Sequence, residues 1–431
     1  MIFRHLTTTL ACSCVAASIV ISNPAISQGQ KLEPKKGYTH EQAIALSSRF
    51  DLAIWNQDDD YDLSRFAYTN TSQFFPHALI HRGGPISKLQ SAPIAAIGMA
   101  KAKTHAGEMT LDEWSSGHLD ACIVILDGKI VYEEYARMRP HDKHIWWSVS
   151  KSVAGTIVGL LEEQGNVDVN KPIETYIPEL AKSAWNGTPV IDILDMASGM
   201  SGLEADDPEA YTNPDSPYGL FKASLGLQPA TPRTMKSTYK YIATLKRQKP
   251  SGRRNEYTSV NTFVCAWLAE KVTGKPYAEI VSEMFWQKIG PESDALLIVS
   301  PAGAPGAHGC VNSTLRDLAR YGMAYTPSWT VVAKEQVVPD ALIKRIQKDG
   351  RAAIYQNGLP KAVWDGYMGE KCLFGTRQFD FVTKDGDFGK SGYHGQTLYI
   401  SPSKNLVVAS FATGEKYDTF KFARAIRKSL N

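Results

Sequence analysis

Ser148 and Lys151 are the residues of this 431-residue chain whose types and spacing most directly indicate covalent chemistry. Residues three apart lie on one face of a helix, so the lysine amine is placed beside the serine hydroxyl and can accept its proton. A serine that loses its proton attacks a carbonyl carbon and forms an acyl ester. The stretch HIWWSVSKSVAGTIVGLLEEQG therefore indicates either a catalytic pair or only a polar start of a helix.

The Ser-x-x-Lys pattern occurs three times, so its surroundings must separate the copies. Ser237 with Lys240 lies in a polar stretch, and Ser401 with Lys404 spans a proline-containing turn, so both pairs are predicted to be solvated. The first copy instead opens an apolar helix directly after two tryptophans. Those surroundings suit a nucleophile; the alternative is a capping serine with a solvated lysine.

A lysine acts as a base only when its amine is neutral. Its ordinary pKa is about 10.4, so half deprotonation at pH 7 requires about 4.6 kcal/mol of environmental bias. Burial supplies bias of that sign. Tyr257, which stands just before a second apolar helix, is the candidate to share the proton and relay it to a leaving group. The pair is thus expected to be buried, with Tyr257 beside it.

Strand patterns occur toward both ends of the chain. ACIVILDGKIVYEEYA predicts a hairpin around Asp127-Gly128, and QTLYISPSKNLVVASF predicts two strands followed by an amphipathic helix. A helix is predicted from Ser148 to about residue 161, and the segment of about 165–328 has a mostly helical pattern. We therefore expect an α+β fold with one antiparallel sheet built from both chain ends, flanked by helices, and an inserted helical subdomain.

Three short motifs follow one another along the chain, and they are Ser148-x-x-Lys151, Tyr257-x-Ser259 and Lys390-Ser391-Gly392. In this order and context the sequence resembles the penicillin-binding-protein and serine β-lactamase superfamily. The resemblance also includes VIDILDMASGMSGL and a GxxGQ turn before the last strands. Among its members the sequence is most similar to esterases and aminohexanoate-dimer (nylon-oligomer) hydrolases.

This resemblance implies a β-lactamase-like fold and a role for each matched residue. Ser148 would be the acyl-forming nucleophile, Lys151 its base, Tyr257 the proton relay and Ser259 an orienting hydroxyl. The oxyanion hole would use the backbone N–H of Ser148 and one near the last strand, such as that of Tyr393. Further predicted binding residues are Lys390, Ser391, Gly392 and His394, with a loop position as the alternative for Lys390 and a cleft-lining position for His394.

Two departures of this sequence from the superfamily pattern bear on the substrate. Ser259 stands where the superfamily commonly has Asn, which changes the hydrogen bonds offered to a lactam side chain. We find no convincing Glu-x-x-x-Asn loop of the kind that supplies the deacylation base in one lactamase class. We expect a serine hydrolase for small linear amides or esters. The alternatives are a D,D-peptidase or β-lactamase, and a catalytically silent envelope or peptide-binding protein of the same fold.

Several other classes are not favoured. The 47 basic and 44 acidic residues are dispersed, which argues against a nucleic-acid partner. The histidine pairs His141/His144 and His77/His81 lack HExxH or a nearby acidic set, so no metal is expected. A GxSxG elbow and a phosphate loop are also missing, and no cofactor is predicted.

Residues 1–27 read as a cleaved export signal, with Arg4 before an apolar run that is short for a stable membrane span. We expect a periplasmic or secreted protein, and a lipoprotein less so. Residues 28–110 would form an N-terminal extension and 111–431 the hydrolase domain. Pairing among Cys122, Cys265, Cys310 and Cys372 stays open, as does the oligomeric state.

Overall fold

The structure, a computed structural model, describes residues 32–56, 60–204 and 207–430. The predicted export signal lies outside the described residues. The strands are β1 (His77–Ile80), β2 (Gln90–Ser91), β3 (Lys101–Thr104), β4 (Gly107–Thr110), β5 (Ala121–Leu126), β6 (Lys129–Glu134), β7 (His144–Ile145), β8 (Ala295–Ile298), β9 (Val311–Ser313), β10 (Phe374–Thr376), β11 (Phe379–Val382), β12 (Phe388–Gly392), β13 (Gln396–Ser401) and β14 (Leu406–Phe411).

Along the chain, helices occur before, between and after the strands, and they make up most of its middle part. They are α1 (His40–Ser48), α2 (Tyr61–Thr69), α3 (Thr71–Phe74), α4 (Ala95–Gly98), α5 (Leu111–His118), α6 (Ser150–Glu163), α7 (Val190–Leu194), α8 (Pro217–Ser224), α9 (Thr238–Thr244), α10 (Ser259–Thr273), α11 (Tyr277–Met284), α12 (Leu315–Met323), α13 (Trp329–Val332), α14 (Asp340–Lys348), α15 (Ala352–Gln356), α16 (Pro360–Met368) and α17 (Thr419–Ser429). None of the described helices is long and apolar enough to cross a membrane.

The main sheet has eight strands in the order β10-β11-β12-β13-β14-β5-β6-β2. Strand β14 pairs antiparallel with β5, so the C-terminal strands are joined directly to the early hairpin. This confirms the predicted α+β fold with a sheet built from both chain ends. The edge strand β2 is the exception to the antiparallel pattern, because it pairs parallel with β6.

The hairpin between β5 and β6 turns at Asp127 and Gly128, as predicted. Both residues have positive φ, 49° and 75°, which is the backbone of a two-residue turn that matches the twist of the strands. Beside this turn, on the same edge of the sheet, β13 and β14 are joined by a short 3-10 turn at Pro402–Lys404. The short connections hold neighbouring strands in register.

Helix α6 is the central helix of the fold. Its residues from Ser150 to Leu161 are all buried, and it packs against α10, α11 and α14 as well as strands β11 and β12. It begins slightly later than predicted, since Ser148 lies in a 3-10 turn, Trp147–Val149, directly before it. Burial on every side fits a helix whose residues from Val153 to Leu161 are almost all apolar, with Glu162 and Glu163 at its less buried end.

The segment of about 165–328 is less uniformly helical than predicted. Strands β8 and β9 lie within it and form a second sheet in the order β1-β8-β9-β7. Their partners β1 and β7 come from outside the segment, so the pairing depends on contacts that are remote in sequence. The segment is therefore mostly helical, as expected, but it also contains these two short strands, which were not predicted.

Residues before the hairpin pack against the core of the molecule. The Arg65 guanidinium on α2 donates to the buried Asp120 carboxylate, with 2.8 Å between Nε and Oδ1. The Trp55 and Trp147 rings stack with centroids 5.3 Å apart.

The four cysteines in the described part of the chain are all buried and free.

Candidate active site

The turn that carries Ser148 is held in an uncommon conformation. Trp147 has φ 45°, a left-handed value that is unfavourable for a bulky residue and persists only where packing holds it. Its ring lies edge-on to the rings of Tyr68 and Tyr393, at 5.4 and 5.7 Å between centroids, and stacks on Trp55. Aromatic packing thus holds the backbone that presents the half-buried Ser148.

Lys151 lies beside the serine and is fully buried. Its Nζ donates to Ser148 Oγ at 2.9 Å and to the backbone carbonyl of His308 at 2.8 Å. Burial lowers the pKa of Lys151 to about 8, the positive charge of Lys390 acts in the same direction, and the negative charge of Glu204 opposes both. A substantial fraction of the amine is therefore neutral near physiological pH, as a base requires.

Tyr257 lies between the two lysines. Its ring centroid is 5.0 Å from Lys151 Nζ and 4.7 Å from Lys390 Nζ. Burial, followed by the negative charges of Asp380 and Glu204, raises the pKa of Tyr257 well above its ordinary value, and a hydrogen bond with Ser148 works in the opposite direction. The phenol keeps its proton and is placed to donate it.

The second motif ends at Ser259, the first residue of α10. Its backbone N–H donates to Glu204 Oε1 at 2.6 Å, and its side chain is fully buried. Glu204 also accepts from the Tyr211 hydroxyl at 3.2 Å. The buried Glu204 carboxylate therefore organises this side of the site, although it was not predicted; its only signal is an acidic residue directly after the MSGL stretch.

The third motif is held by Asp380, another residue that was not predicted. Lys390 forms an ion pair with Asp380 Oδ1, while the backbone N–H and hydroxyl of Ser391 both donate to Oδ2 at 2.8 Å. Lys390 is 1% exposed and therefore not a loop charge. Asp380 is a charged residue inside the apolar strand β11, and that interruption is the one sequence signal for it.

Gly392 lets strand β12 approach the turn that carries Ser148. A Cβ at this position would lie 2.4 Å from the carbonyl oxygen of Trp146, which is too close for any side chain. Tyr393, directly after the strand, is 39% exposed. His394 has φ 61°, and its Nδ1 lies 2.7 Å from the Tyr68 hydroxyl.

The structure thus brings the three motifs together around one hydroxyl. The other two Ser-x-x-Lys copies do not form such a pair: Ser237 accepts the backbone N–H of Lys240 as a helix cap, and Ser401 and Lys404 stand at either end of a turn. The arrangement can transfer a proton from a serine to a neutral lysine and return one from a tyrosine to a leaving group.

One group with metal-ligand spacing lies elsewhere, and it was not predicted. In the described part of the chain the ligand atoms of His105, His118 and Glu415 lie within 4.8 Å of one another. His118 Nδ1 is 3.0 Å from Glu415 Oε1, and His105 Nδ1 is 2.6 Å from the Asp418 carboxylate. These residues pair with one another as histidine–carboxylate contacts, and the pairs His141/His144 and His77/His81 are not part of the group.

Comparisons with known proteins match this chain to one protein family and to several hydrolases. A family model described as Beta-lactamase matches residues 118–430. The 6-aminohexanoate-dimer hydrolase of Paenarthrobacter ureafaciens is 30% identical over 359 residues, which cover 83% of this chain and 87% of the relative. The D-alanyl-D-alanine-carboxypeptidase/endopeptidase AmpH of Escherichia coli K12 is 23% identical over 337 residues, which cover 72% and 83%.

Solved structures show a shared fold. A proposed 6-aminohexanoate-dimer hydrolase from Bacillus anthracis superposes with a TM-score of 0.73 at 23% identity, and the match covers 86% of this chain and 95% of the other. EstCE1, a hydrolase with promiscuous acyltransferase activity, superposes with a TM-score of 0.54 at 13% identity, covering 74% and 95%. At these identities the likeness concerns the fold alone.

Proposed function

The chain belongs to the beta-lactamase family, as a serine hydrolase of the amidase and esterase type, and on that premise we propose that it cleaves small linear amides or esters through an acyl-enzyme on Ser148. The predicted β-lactamase-like α+β fold and hydrolase class are confirmed. The observation that carries the proposal is the 2.9 Å contact between Ser148 Oγ and the buried Lys151 amine, whose pKa is lowered to about 8.

In the proposed reaction, neutral Lys151 takes the Ser148 proton while Oγ attacks the substrate carbonyl carbon. The negative charge on the carbonyl oxygen is stabilised by the backbone N–H groups of Ser148 and Tyr393. Tyr257 donates its proton to the leaving amine or alcohol and is reprotonated from the Lys151 ammonium. A water molecule then attacks the acyl ester by the reverse proton path and releases the acid.

Substrate class is proposed from the relatives. The Paenarthrobacter protein is named for an amide dimer of a linear amino acid, which supports small linear amides here. The second candidate is D-alanyl peptide cleavage, supported by the more distant AmpH relatives. Turnover of linear amides but not of D-alanyl-D-alanine peptides separates the two, and slow acylation by penicillin without turnover favours the peptidase.

The test of the nucleophile is covalent labelling. Intact-mass measurement after a fluorophosphonate probe should show one adduct on the wild type, located on Ser148, and none on Ser148→Ala. Ser237→Ala, which removes the hydroxyl of another Ser-x-x-Lys copy, serves as the matched control and should label like the wild type. A wild type that is neither labelled nor active on activated esters contradicts the proposal and favours a silent binding protein.

Export of the protein is proposed on the composition of residues 1–27. Expression of the full chain in a Gram-negative host, followed by fractionation and N-terminal sequencing, tests it. We expect a periplasmic form that begins near residue 28. A full-length cytoplasmic protein would contradict the proposal.

A further inference from the structure

Lys222 is a half-buried lysine on helix α8 whose ammonium group faces aromatic rings rather than a carboxylate. Its Nζ lies 5.0 Å from the ring centroid of Tyr218 and 5.4 Å from that of Tyr211. Within the described part of the chain, the ammonium has neither a hydrogen bond nor an ion pair. A lysine in such surroundings normally snorkels to water or pairs with an acid.

Two short chains of contacts connect Lys222 to the catalytic motifs. Its neighbour Phe221 lies with its ring centroid 5.1 Å from that of His308, whose carbonyl accepts from Lys151. On the other side, Tyr211 donates to Glu204, which accepts the first N–H of α10. Lys222 therefore lies close to the wall of the site that carries both the nucleophile's base and the second motif.

The charges around Lys222 leave its ammonium available. Glu204 influences it electrostatically, but that carboxylate already accepts two hydrogen bonds and is not in ion-pair contact with it. His308 contributes no competing charge, because burial and the nearby Lys151 and Lys222 charges lower its pKa well below the ordinary value. Tyr211 is 61% exposed and Lys222 is only partly buried, so both residues are in contact with solvent.

We propose that Lys222 binds a carboxylate carried by the substrate, so that the enzyme selects amides and esters with an anionic end. The inference rests on the proposed function, because it assigns the substrate class of the same site. A partly desolvated ammonium pairs strongly with a carboxylate. The two tyrosine rings would hold the Lys222 ammonium in place as its cation–π partners. Linear amides of amino acids end in such a carboxylate, which makes them natural members of this class.

The test compares matched neutral and anionic esters. Two pairs locate the anion: 4-nitrophenyl butyrate against mono-4-nitrophenyl succinate for the acyl part, and phenyl butyrate against 4-carboxyphenyl butyrate for the leaving part. In Lys222→Met, kcat/KM should fall about tenfold or more for the anionic member of at least one pair, the loss expected for a charged hydrogen bond. The neutral members should change little.

Other variants separate charge from packing. Lys222→Arg keeps the charge and should retain the preference for the anionic ester, whereas Lys222→Glu should lose more of it than Lys222→Met. Lys240→Met removes an exposed lysine from the next helix of the same subdomain and should leave the ratio unchanged. Melting temperatures check that each variant is folded. An anionic-to-neutral ratio in Lys222→Met equal to that of the wild type overturns the inference.

Binding without turnover keeps the inference testable on its own. Calorimetric titration of Ser148→Ala with adipate should give an interaction that Ser148→Ala/Lys222→Met lacks. If labelling of Ser148 fails while adipate still binds through Lys222, the catalytic proposal is wrong and the anion site stands. If labelling and neutral-ester turnover succeed while adipate binding is unaffected by Lys222→Met, the anion site is wrong and the catalytic proposal stands.

Discussion

The protonation state of the Lys151 amine is determined mainly by burial and not by an ion pair. The amine contacts a hydroxyl and a backbone carbonyl, and neither compensates a positive charge as a carboxylate would. This explains why its pKa falls to about 8, while Lys390, which pairs with Asp380, has its charge compensated. The contacts of the two buried lysines therefore differ: Lys390 has a carboxylate partner, whereas Lys151 contacts only neutral groups.

The pH dependence of ester hydrolysis should report Lys151. Because the reactive form is neutral, kcat/KM for a neutral ester is expected to rise with pH, with an apparent pKa near 8, and to level off above it. Lys151→Arg cannot provide a neutral base and should lose about 100-fold or more in kcat/KM at every pH tested. A flat profile between pH 6 and about 9 would contradict the assignment of Lys151 as base.

Glu204 is expected to set the position of that profile. Its negative charge raises the pKa of Lys151, so Glu204→Gln should lower this pKa and move the rising limb of kcat/KM to lower pH. The amide oxygen can still accept from the N–H of Ser259, which separates charge from position. Glu209→Gln, a change at an exposed acid nearby, is the control and should leave the limb in place.

At the scale of elements, the site depends on how closely β12 lies against the turn before α6. The turn contains the strained Trp147, and the strand contains Gly392, where there is no room for a Cβ. Neither element carries the site alone, because Ser148, the proposed nucleophile, is on the turn and the third motif is on the strand. Their separation therefore controls the geometry around Ser148.

Gly392→Ala should disrupt this contact. The added methyl group would lie 2.4 Å from the Trp146 carbonyl oxygen, so strand and turn must move apart. We expect kcat/KM to fall by about 10-fold or more, since displacements of about 1 Å are costly to positioned groups. Gly366→Ala, at an exposed helical position with nothing within 4 Å of the new Cβ, should keep full activity. Equal activity of both variants would contradict the close-contact explanation.

Over the whole molecule, residues before the main hairpin are tied to the sheet and to the site. Arg65 pairs with Asp120 next to β5, and Tyr68 contacts His394 beyond the third motif. Thr413 also donates to Asp120, at 2.6 Å. The early helices therefore support the part of the site around His394, and deleting them should lower the catalytic activity.

Asp120→Asn should destabilise the protein by about 3 kcal/mol, because it leaves Arg65 without its buried partner. The pKa of Asp120 is well below its usual value: burial would raise it, but the Arg65 charge and hydrogen bonds with His144 and Thr413 outweigh that effect. The contribution is thus fully present above the unfolded pKa of about 3.9 and lost as pH falls through the lower folded pKa.

Urea unfolding at pH 7 and at lower pH checks this prediction. Asp62→Asn is the control, since Asp62 contacts the same arginine from a 55% exposed position and should cost under about 1 kcal/mol. Equal free energies of unfolding for the two variants would show that the buried pair does not hold the extension. The difference between them should shrink as the solution becomes acidic.

The sequence by itself determined the features that depend on local spacing. The phase of Ser148 and Lys151 follows from the helical period, and the strands at both chain ends follow from β-rich runs. The hairpin follows from the Asp127-Gly128 pair. The order of the motifs was sufficient for the family resemblance. These features need only neighbouring residues, so they were predictable.

Only the tertiary structure decided which charges meet around Ser148 and Lys151. Glu204, Asp380 and the His308 carbonyl come from three separate segments, and no local pattern relates them to Lys151. Strands β8 and β9 were missed for the same reason, because their partners are distant in the chain. Electrostatics and strand pairing depend on distance in space, and folding alone brings these residues together.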